Sequence, residues 1–182
     1  MRITVIGRGN VGGGLAARWE RAGHEVTLLG RDGGDAADAA VVFVAVPGGE
    51  IPDALGRVDG LRGKTVVDAT NIFEGRDEAF PSLAHQIKSI VEGPVAKSFN
   101  TNFAALYDEI DSQRARPSNL YAADDEAREV TESLIRDAGF EPVYLGDLEQ
   151  ARALEDQLGF IGTINRGGLG RFFYRYAPPG EL

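Results

Sequence analysis

Gly7, Gly9 and Gly12 stand near the start of the chain at G-x-G-x-x-G spacing, with Arg8, Asn10 and Val11 between them. A short β-branched run, Ile3, Val5 and Ile6, comes directly before. In that setting each glycine has its own role. Gly7 lets the chain turn sharply off a strand, and Gly9 lets bare backbone approach a pyrophosphate. Gly12 lets the following helix pack close to the sheet, with the N–H groups of its first turn aimed at the anion. Glycine-rich turns are common, and an ordinary tight strand–helix turn is the alternative. A strand before the motif and an amphipathic helix after it favour the dinucleotide site.

A second group of residues bears on which dinucleotide. The next strand stops at Gly30-Arg31-Asp32, about 20 residues past the fingerprint, where a carboxylate would bind a ribose 2′-hydroxyl. A guanidinium at this point instead holds a 2′-phosphate bidentately. Arg31 therefore points to NADP(H), with Arg8 placed to close over the same phosphate or the adenine. A solvated loop charge is the other reading of Arg31, and Asp32 can serve as the ribose acid slightly late. Further on, Val46 and Pro47 end an apolar run and are candidates to flank a nicotinamide, although Pro47 equally suits a helix start. Asn71 can hydrogen-bond a carboxamide or ribose, or act as a plain turn residue. His24 and His85 read as surface or packing residues without metal-ligand partners. Hydride transfer needs orientation of two rings and neither nucleophile nor metal, so no acid–base catalytic residue and no metal ligand is expected.

The elements that must position these residues follow from hydrophobic periodicity. Val11, Leu15, Trp19 and Ala22 recur at helical spacing with Arg18 on another face, and Gly23 caps that helix. Val26, Leu28 and Leu29 form a second strand. The stretch 33–39 has room for a turn or two of helix. The continuous apolar run 40–46 suits a strand buried on both faces of a parallel sheet. A short helix over 51–58, a strand over 65–69, a helix begun by Ser82 and a strand over 95–99 follow. A short helix from Phe103, a strand over 119–122, a helix opened by Asp124 and a strand over 141–145 complete the pattern. The fold expected is α/β, a doubly wound (Rossmann), mostly parallel sheet. Residues 1–146 form the nucleotide-binding domain and 147–182 a C-terminal helical extension. The aromatic, cationic stretch Leu169–Tyr176 closes the core or a subunit interface, or else forms a stacking wall.

Composition bounds the rest. The chain has 182 residues, enough for one well-buried domain with a small appendage. A net charge of −9 argues against nucleic acid or an anionic membrane surface as partner. It also makes the few well-placed arginines matter more to an anionic ligand. The absence of cysteine excludes disulfides and thiol chemistry. No apolar run reaches membrane-span length, and the first residues read as a strand, not a signal peptide. A cytoplasmic protein is expected, with a homodimer suggested by the apolar tail.

Four segments carry a resemblance: Gly7-Arg8-Gly9-Asn10-Val11-Gly12, Val44-Ala45-Val46-Pro47, Val95-Ala96-Lys97-Ser98-Phe99-Asn100-Thr101 and Ala138-Gly139-Phe140-Glu141-Pro142-Val143. Together they resemble the NADP-dependent deazaflavin-coenzyme oxidoreductase family, from residue 1 to the Gly167-Gly168 region. The resemblance implies hydride transfer between NADPH and an 8-hydroxy-5-deazaflavin or flavin-like small-molecule acceptor. It places the NADP site at residues 7–12, with Arg31 on the 2′-phosphate. Gly30 stands where the family usually has serine and Asp32 where it has a second arginine, which weakens the preference for the phosphorylated cofactor without removing it. The competing reading is a module that senses or carries NADP(H) and catalyses nothing. A dehydrogenase of imines or 2-hydroxyacids would need a larger helical domain than the roughly 35 residues left here.

Overall fold

The computed structural model describes residues 1–73 and 75–180, so the last two residues of the expected extension lie outside the described residues. The chain begins β1 (Arg2–Ile6), α1 (Asn10–Arg21), β2 (Glu25–Leu29), β3 (Gly34–Asp35) and β4 (Val41–Val44). It continues α2 (Ile51–Leu55), β5 (Val58–Asp59), β6 (Val66–Asp68), α3 (Leu83–Val91) and β7 (Val95–Ser98). A 3-10 helix, Ala104–Ser112, leads to β8 (Ser118–Ala123), α4 (Asp125–Asp137), β9 (Glu141–Gly146) and α5 (Ala151–Ile164).

Seven strands form one sheet in the order β2-β1-β4-β6-β7-β8-β9. The first five in that order are parallel, β8 runs antiparallel to β7, and β9 is parallel to β8. This is a doubly wound, mostly parallel α/β fold, with β1 in the interior of the sheet. All four residues of β4 are buried, as its unbroken apolar sequence requires of a strand covered on both faces. One face carries Leu15, Trp19, Phe43, Phe99 and Phe140 in a single cluster; the other carries Val42, Val44, Ile51, Ile87 and Val91. Trp19 packs edge-on against Phe43, with centroids 4.9 Å apart, and its indole N–H donates to Leu134 O at 2.9 Å. Phe99, just past β7, has a left-handed φ of 60°, unusual for a bulky residue. The aromatic cluster and a hydrogen bond from its N–H to Asn119 Oδ1 hold it there.

The structure departs from the sequence pattern at residues 33–39. The stretch 33–39 contains no helix. Gly33 and Gly34 have φ of 76° and 154°, and β3 pairs with β5 in a two-stranded ribbon. Arg18, on a face of α1 apart from its apolar positions, is buried all the same, with its guanidinium donating to Ala138 O and Tyr107 O and pairing with Asp111 at 2.6 Å. Gly14 in α1 makes room for an aromatic ring, since an added Cβ would lie 2.8 Å from the Tyr107 ring.

The C-terminal segment is helical through α5 and a turn over Asn165–Leu169, after which the described residues contain no helix or strand. Leu148 and Ala151 join the buried cluster of Ile87 and Val91, and Leu154 packs on Leu120 and Ala122. The tail closes the core. Tyr174 hydrogen-bonds Thr101 Oγ1 at 2.6 Å and accepts from Ser118 N, while Phe172 meets the Phe103 ring edge-on at 5.5 Å. Burial pushes the Tyr174 phenol up to about 12. No described helix is long and apolar enough to cross a membrane.

Candidate functional site

Because β1, β2, β4, β6 and β7 are parallel, their C-terminal ends share one edge of the sheet. The chain passes from β1 to β2 on one side and returns to β4 on the other, so a crevice opens between β1 and β4 at this edge. Gly7 turns off β1 there with φ 111°, and an added Cβ would lie 2.3 Å from Ala45 O. Gly12 is constrained as tightly, with a Cβ 2.0 Å from Gly7 O. Gly9 differs from both. It sits at the N-terminus of α1 with φ −76°, and an added Cβ would meet no protein atom within 4 Å. The protein's own packing thus demands glycine at the first and third positions of the motif but not at the second.

On one side of the turn lies a cavity of about 420 Å³ lined by Gly7, Arg8, Gly9, Gly30, Arg31 and Arg57, together with Val46, Pro47, Glu50 and Asp53. Arg8 lays its guanidinium over Gly30, where an added Cβ would be 2.2 Å from Nη2. The glycine at this position therefore makes room for an arginine from the fingerprint itself. Arg31 lines the cavity, whereas the exposed Asp32 does not; the two form the tip of a turn closed by Gly33 N to Gly30 O. Arg57, not singled out from sequence, donates from Nη1 to Arg31 O at 2.9 Å and pairs through Nη2 with Asp53 at 2.7 Å. The i,i+4 spacing of Asp53 and Arg57 was the only sequence signal. What brings Arg57 to the cavity is the β3–β5 ribbon, through Gly34 N to Arg57 O at 3.1 Å.

On the other side lies a cavity of about 590 Å³, lined by Asn10, Val11, Gly48, Asn71, Ile72 and Phe73. Gly9, Ala45, Val46 and Pro47 line both cavities and join them. The structure therefore brings together Gly7, Arg8, Gly9, Asn10, Val11, Arg31, Val46, Pro47 and Asn71; Gly12 lines neither cavity and acts by packing. Two of these residues shape the backbone as well as lining a cavity. Pro47 precedes the 3-10 turn Gly48–Glu50 and also lines the cavities. Asn71 shapes the backbone, its O accepting from Gly48 N, and also faces the cavity. Its amide donates to Asn100 O at 2.8 Å and accepts from Asn100 Nδ2 at 3.1 Å, which fixes its orientation.

The histidines lie elsewhere: His24 is 2.9 Å from Asp137, and His85 contacts Ser82 and Glu149. Among the described residues no group of three or more His, Cys, Asp or Glu is placed to hold a metal. A second feature missed from sequence is a buried charged group just beneath the larger cavity's wall. Lys97 pairs with Asp68 at 2.8 Å and with Glu155 at 3.4 Å, all three side chains at most 1% exposed. Burial raises the Glu155 carboxyl above the usual range, against the pull of Lys97.

No protein-family model and no curated protein sequence matches the chain. Among solved structures it is similar to a candidate F420-dependent NADP reductase from Arthrobacter sp. FB24. The TM-score is 0.78 at 26% identity, covering 97% of this chain and 99% of that one. It is also similar to the hypothetical protein SMa0349 from Sinorhizobium meliloti, with TM-score 0.69, 24% identity and coverage of 96% and 93%. A reductive aminase from Aspergillus terreus, in complex with NADPH and ethyl levulinate, shares the fold with TM-score 0.66 at 19% identity; 91% of this chain covers 62% of it. The family resemblance of the four sequence segments and the structural likeness thus point to the same kind of protein, matched over nearly the full length of both chains.

Proposed function

We propose that the protein is an NADP-dependent oxidoreductase that transfers a hydride between NADP(H) and a deazaflavin or flavin-like acceptor. The observation that carries this reading is the pair of joined cavities, one cationic and one neutral, meeting at Gly9 and residues 45–47. The residues fit the cofactor. An open glycine at the N-terminus of α1 suits a pyrophosphate, and three guanidiniums suit a 2′-phosphate. The likeness to a candidate F420-dependent NADP reductase supports both cofactor and acceptor.

In this reading Arg8, Arg31 and Arg57 hold the phosphorylated ribose. The backbone of residues 7–12 receives the pyrophosphate, and Val46 and Pro47 flank the ring that follows. Asn71, held by Asn100, offers its remaining amide N–H to a carboxamide. The nicotinamide, when bound, supplies or accepts the hydride. The protein contributes position and exclusion of water, which can account for roughly 7–11 kcal/mol of barrier reduction. In this reading the second cavity, of about 590 Å³, takes the nicotinamide and the acceptor together, whereas a module that only carries NADP(H) needs room for the nicotinamide alone. The exposed Phe160 and Leu169 support a homodimer.

The test is to titrate purified protein with NADPH and an 8-hydroxy-5-deazaflavin while following the deazaflavin absorbance. Bleaching that requires both protein and NADPH is the expected result; tight NADPH binding without bleaching would instead favour the carrier. Arg31→Ala should weaken NADPH binding by about ten- to a hundred-fold, the loss of one charge-assisted contact, and leave NADH nearly unchanged. Selective loss of NADH binding on Asp32→Ala would make Asp32 the ribose acid and this an NAD enzyme.

A further inference from the structure

The buried charges beneath the larger cavity hold one segment at its middle and at both flanks. Residues 71–82 run from the end of β6 to the start of α3, and their first three line that cavity. Just before the segment, Asp68 Oδ1 accepts from Thr70 N at 2.7 Å while Lys97 Nζ donates to Thr70 O at 2.6 Å, so both backbone groups of Thr70 are held. In its middle, Arg76 pairs with Glu155 at 3.1 Å and with Asp156 at 3.6 Å. Just past its end, Glu155 Oε1 accepts from Leu83 N at 2.9 Å. Lys97 also pairs with Glu155, which closes the group into one network: Asp68 on β6, Lys97 on β7, Glu155 on α5 and Arg76 on the segment itself.

Charges this deeply buried are costly unless every partner is in place, and simple stability does not demand them. Fold closure has no need of them either, since apolar contacts already seat α5 on the sheet through Ala151 and Leu154. What the network does is hold the backbone on both flanks of a segment whose described residues form no helix or strand, at Thr70 and at Leu83, and tether its middle through the Arg76 side chain. We infer that the Lys97–Asp68–Glu155–Arg76 network is a positioning device, through which α5 holds residues 71–73 as the wall of the nicotinamide end of the site. This rests on the function proposed for the two cavities. It also explains Lys97, in the segment that carries the family resemblance, which touches no cavity but sets the carbonyl next to Asn71.

The test uses Arg76→Ala, with Arg76→Lys as the conservative rescue and Arg62→Ala, a distant exposed ion pair with Glu92, as control. Amide hydrogen exchange of the protein without cofactor should rise about tenfold or more over residues 72–82 in Arg76→Ala. It should return towards wild type in Arg76→Lys and stay unchanged in the control. The affinity for 2′,5′-ADP, which reads only the adenosine end, should stay within about twofold, whereas the rate of hydride transfer from NADPH should fall about tenfold. Unchanged exchange over 72–82 overturns the inference. So does faster exchange with transfer unaffected, because the network would then be structural only. A wild-type protein that binds no NADPH overturns the proposed function and with it the role of the wall, while the exchange measurement still reports the tether on its own.

Discussion

At the scale of single residues, the three glycines of the fingerprint separate into two kinds, and the separation can be measured. Gly7 and Gly12 are demanded by the protein, since a Cβ at either would sit within 2.3 Å of a backbone oxygen. Gly9 is demanded by nothing in the chain, because a Cβ there meets no protein atom and its φ is ordinary. Gly12→Ala should therefore lower stability by a few kcal/mol, in the range of overpacked sites, and Gly9→Ala should leave it within about 0.5 kcal/mol. NADPH affinity should fall with Gly9→Ala all the same, as the added methyl stands where the proposed function places a pyrophosphate. Urea denaturation alongside fluorescence titration checks both, and a Gly9→Ala protein that binds NADPH normally would remove the ligand from this turn. The motif was legible in sequence because spacing alone encodes it. The split between ligand and packing roles was not, because it depends on where Ala45 O lies. Arg8 over Gly30 is a similar case. A glycine in place of the family's serine reads as a lost contact until the structure shows a guanidinium in the same space.

Among the elements, those with a strong period were legible and those set by neighbours were not. The buried run at β4, the capped α3 with Ser82 at its start, and α5 all follow from their own residues. The β3–β5 ribbon does not, since each strand has two residues and depends on glycines with positive φ to meet its partner. Arg57 was invisible for the same reason. The burial of Arg18 was not legible because its three partners come from residues about 90 to 120 positions away, which no local period reports. The α5 network carries a pH prediction. Burial raises the Glu155 carboxyl, Lys97 opposes this and Asp68 adds to it, with Arg76 and the Leu83 N–H also facing the group and Asp156 beyond Arg76. The folded-state value lies above the unfolded one, so the native protein holds a proton that the unfolded chain has lost. This contribution to stability is fully present below the ordinary glutamate value of about 4.3 and is lost as pH rises through the raised value. Glu155→Gln should flatten that part of the profile, measured as urea midpoints from about pH 4 to about pH 8. A wild type that gains stability over this window relative to the variant would show that Lys97 and Arg76 outweigh burial.

For the whole molecule, the tension lies between its overall charge and the charge of its site. The chain has 28 acidic and 19 basic residues, giving −9, yet NADP(H) carries more negative charge than NAD(H) and must be received by this surface. Two effects of opposite sign operate at different ranges. Repulsion from the acidic surface acts at long range and is screened beyond about 10 Å at 0.1 M salt. Under the proposed function, attraction to Arg8, Arg31 and Arg57 acts at contact and, for the phosphorylated cofactor alone, includes the 2′-phosphate. The acids Glu50 and Asp53 line the same cavity, and Asp53 already pairs with Arg57, so the net cationic excess there is small. Added salt should relieve the repulsion felt by both cofactors and weaken the guanidinium contacts of one, because these arginines are at least partly exposed. Between about 0.05 and about 0.5 M salt, NADH affinity should therefore hold steady or rise, while the ratio of NADPH to NADH affinity falls severalfold. In Arg31→Ala the ratio should begin lower and change less. Paired fluorescence titrations of the two cofactors across the salt series decide the matter. A ratio that does not move with salt would mean that the arginines do not meet the 2′-phosphate, and the preference for NADP(H) would then have no electrostatic basis in this cavity.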